Sequence, residues 1–86
     1  MDKKILDLIN EQMNFEFESA YIYKAMAAYT DDLDLEGFTT WMDQQVTEEI
    51  NHGEGMKNFL QSVGYKPVYK AIPEPKAEYD SVLDVM

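Results

Sequence analysis

The chain contains no cysteine and no arginine, and each absence removes a class of function. Without cysteine there is no disulfide framework, no thiolate zinc site and no iron–sulfur ligation. The lack of disulfides fits a reducing compartment, so the cytoplasm is the expected location. Without arginine, seven lysines are the whole basic complement, set against seventeen acids and a net charge of −10. No basic patch can form and the bidentate guanidinium is missing, so nucleic acid is not an expected partner. Long apolar runs are missing too. None approaches the length of a membrane span, and the start Met1-Asp2-Lys3-Lys4 lacks the apolar core of a signal peptide. A soluble, intracellular protein with no membrane partner is expected. At 86 residues the chain holds one small domain, which buries a modest share of its surface and needs a staple or a partner.

What is present organises into two regions. Residues 1–64 read as a helical hairpin and residues 65–86 as an extended tail that contains Pro67, Pro73 and Pro75. The first helix is predicted from about Lys3 to Tyr29, with Asp2 as its N-cap. Ile5, Ile9, Met13, Ala20, Tyr23 and Ala27 form one apolar stripe, and Leu8, Phe15, Ile22 and Met26 form another beside it. The run Thr30-Asp31-Asp32-Leu33-Asp34 breaks the pattern and reads as a short connection. The second helix is predicted from about Leu35 to Val63, with Asp34 as cap and Gly64 at the left-handed C-terminal position. Its main stripe is Phe38, Met42, Gln45, Glu49, His52, Met56, Phe59 and Val63. Gly53 and Gly55 cost that helix propensity. One turn of helix is expected in the tail near Ser81-Val82-Leu83. Both helices carry more apolar surface than a lone hairpin can cover, and dimerisation into a four-helix bundle is the simplest remedy.

Most of the acids read as solvated helix faces. Glu16, in the middle of the first stripe, and Glu49, in the middle of the second, do not. Glu49 and His52, three apart, share one helical face and can bind a metal together. Register adds weight. Positions 16 and 49 sum to 65, as do 13 with 52, 20 with 45 and 23 with 42, so all these pairs are symmetric about Asp32 and Leu33. In a hairpin folded there Glu16 and Glu49 lie level, and a two-fold axis at that level gathers two copies of Glu16, Glu49 and His52. Four carboxylates buried without counter-charge would be prohibitively costly, whereas two divalent cations cancel them. Oxygen and nitrogen donors of this kind suit iron, manganese or zinc. The alternative is that Glu16 snorkels to solvent and the helices pair otherwise.

These residues resemble a known family. Asn10-Glu11-Gln12-Met13-Asn14-Phe15-Glu16-Phe17-Glu18-Ser19-Ala20-Tyr21-Ile22-Tyr23 is similar to the first helix of bacterial non-haem ferritins. Leu35-Glu36-Gly37-Phe38 and Glu48-Glu49-Ile50-Asn51-His52 resemble the second helix, and Ala71-Ile72-Pro73-Glu74-Pro75 resembles the long crossover connection. The resemblance implies that Glu16 is a terminal iron ligand, that Glu49 bridges two irons and that His52 completes the first site. It implies a hydrogen-bonding role beside the centre for Tyr23, for which ordinary core packing is the alternative. Glu48 matches a residue that helps hold a third iron in some relatives; an exposed helix surface is the alternative. A ferritin chain continues into third and fourth helices, which supply the second iron's ligands, and this sequence stops at Asp84-Val85-Met86, about where the third would start. A second hairpin is therefore required, and self-association is the expected source, as in encapsulated ferritins.

The expectation is an all-α, antiparallel two-helix hairpin with an extended C-terminal tail, pairing with a second copy into a ferritin-like four-helix bundle. Its expected activity is ferroxidation, the oxidation of Fe²⁺ to Fe³⁺ by dioxygen or peroxide at a di-iron centre across a homodimer or larger homo-oligomer. Two rivals stand beside it: a non-catalytic, self-assembling ferritin fragment, and a dimer stabilised by structural zinc or manganese. Mineral storage is not carried over, because a ferritin shell uses surfaces of all its helices.

Overall fold

Asp2 starts the first helix as expected. In the computed structural model, which describes residues 2–79, the Asp2 carboxylate accepts the Lys4 N–H at 2.9 Å and caps α1, Lys3–Asp32. The second helix, α2, spans Glu36–Ser62 and lies antiparallel to α1. Among the described residues there are two helices and no strand. The expected turn of helix near Ser81-Val82-Leu83 lies outside the described residues.

The connection is shorter than the sequence suggested, because Thr30, Asp31 and Asp32 remain helical. Backbone bonding explains it. The Leu35 N–H donates to the Thr30 carbonyl at 3.0 Å and the Asp34 N–H to the Asp31 carbonyl at 3.0 Å, so the last turn of α1 is closed by a Schellman motif. Asp34 is therefore not the cap of α2. It occupies the left-handed position of that motif, with φ 58°, while Leu35 precedes α2 without a side-chain capping bond. At the far end of α2 the same motif recurs with Gly64 at φ 83°, Tyr65 donating to the Leu60 carbonyl at 2.9 Å. Aspartate tolerates the left-handed region better than most residues, yet it places a negative charge at the negative end of α1. Asp34→Gly is expected to stabilise the chain by roughly 0.5–1 kcal/mol, after allowing for the extra freedom of glycine in the unfolded state. Urea unfolding of the two chains side by side is the check; equal or lower stability would contradict the argument.

The hairpin interior is made by Leu6, Asn10, Met13, Ala20, Ala27 and Thr30 of α1 against Met42, Gly53 and Leu60 of α2. Met13 and Leu60 are fully buried and, with Leu6, form one cluster at the end away from the connection; Ala27 and Met42 form the other. The predicted stripes are only partly this interior. Ile5, Phe38, His52, Phe59 and Val63 stay exposed, and Leu6 and Leu60, outside the predicted stripes, lie at the centre. The apolar arc on each helix is wider than one line of contact, and the two helices meet along one edge of it. The rest of the arc forms an open face, with a groove at the connection end lined by Ile22, Tyr23, Met26, Phe38, Trp41 and Met42. A second groove at the other end is lined by Ile5, Leu8, Ile9, Gln12, Met56 and Phe59.

The tail runs back along α1 on another side. Asn10 exchanges a pair of hydrogen bonds with Val68, its amide donating to the carbonyl at 3.1 Å and its oxygen accepting the N–H at 2.9 Å. Asn14 repeats the device one turn later, accepting from the Lys70 N–H at 2.9 Å and donating to the Val68 carbonyl at 2.9 Å. Two asparagines four apart thus act as the edge of a strand. Tyr65 donates to Asp7 at 2.8 Å, and that bond, with the help of Lys3, holds the Asp7 carboxyl below its ordinary range. Tyr69 stacks on Phe17 and Tyr79 meets Tyr29 edge to face. At about 100° per residue, Asn14 and Glu16 point to opposite sides of α1, so the tail leaves the open face uncovered.

Candidate metal centre

Glu16 on α1 and Glu49 on α2 face one another in the middle of the open face, with His52 one turn beyond Glu49. The His52 Nδ1 lies 3.9 Å from Glu16 Oε2 and 3.9 Å from Glu49 Oε1. One donor atom from each of the three residues falls within 4.8 Å of the others. Two donors that each sit about 2.1 Å from one ion are at most about 4.2 Å apart, so the arrangement needs little closure to hold a first-row divalent metal. The side chains of Glu16 and Glu49 are 13% and 17% exposed, whereas that of His52 is 57% exposed. The carboxylates are thus already shielded by their own hairpin, and the imidazole is open to solvent.

The two carboxyl groups are close enough to share a proton. The Glu49 carboxyl is pushed up by its hydrogen bond to Glu16, by burial and by repulsion from the Glu16 charge. Glu16 is held down, first by the bond it accepts from Glu49 and also by the Gln12 amide, which donates to its Oε1 at 3.1 Å. Gln12 is the contact that sequence reasoning missed. Its only signal is position, one turn before Glu16 on the same face.

The other two residues singled out from sequence stand apart from this trio. Tyr23 lies about 10 Å further along α1 by helical rise, half-buried, with its ring edge-on to Trp41 at a centroid distance of 6.1 Å. It lines the groove at the connection end of the open face. Glu48 is exposed and outside the trio, though its charge helps push the Glu49 carboxyl up.

Two long antiparallel helices with an uncovered apolar face have the architecture of half a four-helix bundle, with a candidate metal site at the middle of that face. The sequence pattern of the ferritin-like domain matches residues 6–86, and the chain belongs to that family. It is 43% identical over 84 residues to the bacterial non-heme ferritin of Staphylococcus saprophyticus, covering 98% of this chain and 50% of the relative. The corresponding protein of Staphylococcus haemolyticus is 40% identical over 84 residues, with 98% and 51% covered. Among solved structures, an open-pore ferritin from the hyperthermophilic archaeon Archaeoglobus fulgidus superimposes with a TM-score of 0.91 at 38% identity, over 98% of this chain and 52% of that one. A PmFTN variant soaked in iron gives a TM-score of 0.90 at 32% identity, with 98% and 54% covered. The chain spans about half the length of the relatives it matches. Among the described residues, no helix is long and apolar enough to cross a membrane.

Proposed function

We propose that this chain is one half of a di-iron ferroxidase, completed when the open faces of two copies meet. Its support is the gathering of Glu16, Glu49 and His52 at the middle of an uncovered apolar face. Glu16 and His52 would be terminal donors and Glu49 the bridging one, the roles that the resemblance to ferritins implies. Gln12 would keep Glu16 oriented and charged, and metal would bind the ionised form of Glu49. Bound iron supplies the redox chemistry: Fe²⁺ is the substrate and gives its electron to dioxygen or peroxide. The chain's own contribution is to fix the donors, to leave positions open beside the exposed His52, and to screen the centre with the grooves on either side. A soluble homo-oligomer in the cytoplasm fits the absence of cysteine.

The test is Fe²⁺ loaded without air, counted, and then exposed to air. Two irons per pair of chains, oxidised well above the rate in buffer, is the expected result. A folded chain that binds no iron would leave the non-catalytic fragment. Iron bound and oxidised no faster than in buffer would leave a structural metal site.

A further inference from the structure

Two open faces cannot meet without bringing acid together. Each carries Glu16 and Glu49, already mostly shielded by their own hairpin, and a second copy laid across them would remove the remaining water. Four carboxylates would then share one layer, the least favourable element of such an interface. On both sides of that layer the face is apolar, with Ile9, Met56 and Phe59 in one groove and Tyr23, Phe38 and Trp41 in the other. Pairing is thus favoured along most of the face and opposed at its centre. The occupant is the second copy of the reading above, whose face repeats the same order of apolar groove, acidic centre and apolar groove and so matches this one about a two-fold axis.

The first ion, by contrast, needs no second copy. All three donors of one hairpin lie within 4.8 Å of one another, held on two packed helices, and His52 leaves the site reachable from solvent. We infer that a divalent cation captured by Glu16, Glu49 and His52 of a single hairpin is the switch that allows two copies of this chain to pair. One doubly charged ion per copy cancels the two carboxylates of that copy, and the layer that opposed pairing becomes neutral. The inference rests on the shared-centre reading above and adds its order, ion first and pairing second. Binding energies are reciprocal, so pairing tightens ion binding by the factor per ion by which ion binding favours pairing.

The experiment measures solution mass against protein concentration for the 86-residue chain, in chelator and in excess Zn²⁺, a probe that undergoes no oxidation. Zn²⁺ is expected to tighten pairing at least ~10-fold. A Glu16→Gln, Glu49→Gln double variant, with helix content confirmed by circular dichroism, is expected to pair in chelator where the native chain is single, and to ignore Zn²⁺. A native chain equally paired in both conditions while binding one Zn²⁺ per copy overturns the inference and leaves the shared centre standing. A double variant that is helical yet single in chelator also overturns it. Zn²⁺ bound by a chain that stays single at every concentration overturns both readings, and a folded chain that binds no Zn²⁺ removes the metal centre itself.

Discussion

Glu49→Gln is expected to abolish paired-metal binding and, at the same time, to make the metal-free chain more stable. The loss follows from charge. Glutamine keeps one oxygen donor but cannot neutralise or bridge cations, and since replacing mere outer partners of a ligand costs 10–100-fold in affinity, a loss above ~100-fold is expected here. The gain follows from the hydrogen bond. In the native chain the Glu49 carboxyl is pushed up by its bond to Glu16, by burial and by repulsion from the Glu16 charge. A group whose folded value is raised contributes its stability below the unfolded value and loses it as pH rises through the folded value. That contribution is therefore lost as pH rises through the raised value, and two carboxylates then face each other. The amide introduced by the substitution would donate to Glu16 at every pH, for a gain of about 1 kcal/mol, or about 4–8 °C in a domain of this size. Isothermal titration with Zn²⁺ and thermal melts in chelator measure the two effects on one sample. Undiminished metal binding would refute the ligand assignment, and a lower metal-free melting temperature would refute the repulsion between Glu16 and Glu49.

Gly53→Val is expected to destabilise the hairpin by about 3 kcal/mol, although valine is the better helix former. A Cβ at position 53 would fall 2.6 Å from two atoms of the Phe17 ring, closer than carbon atoms approach. The ring is also stacked on Tyr69, with centroids 5.8 Å apart, so moving it disturbs that contact. Backing away would unstack the tail and strain the Asn14–Lys70 bond beside it. Gly55, two residues on, meets nothing within 4 Å. Gly55→Ala in the metal-free chain should therefore stabilise by about 1 kcal/mol through helix propensity alone. Opposite signs for two glycines on one helix is the discriminating result, read by urea unfolding. If Gly53→Val were neutral, the close approach of Phe17 would not be a constraint on the fold.

Much of the hairpin was legible along the chain. The Asp2 cap and the left-handed Gly64 are local devices that act within a few residues, and the structure has both. The level placement of Glu16 and Glu49 was legible as well, since antiparallel helices joined by a tight turn pair positions of constant sum. Local rules failed where two readings of one residue compete. Asp34 looks like a helix cap, yet the closing bonds of α1 place it in the left-handed position instead. Tail placement was out of reach, since Asn10 and Val68, 58 apart in sequence, find each other only in the folded chain.

Residue order alone settled that there are two helices, where the first begins and the second ends to within a residue, and that two carboxylates and an imidazole lie at their middle. It could not settle how each helix is turned about its own axis. Periodicity defines an apolar arc, and an arc wider than one contact line can be buried along any part of itself. Packing made that choice: Met13 and Leu60 interlock, and the bare backbone of Gly53 admits Phe17. That rotation leaves Glu16, Glu49 and His52 on the uncovered edge of the arc, so only the tertiary structure decided that the site faces outward, toward whatever completes the bundle.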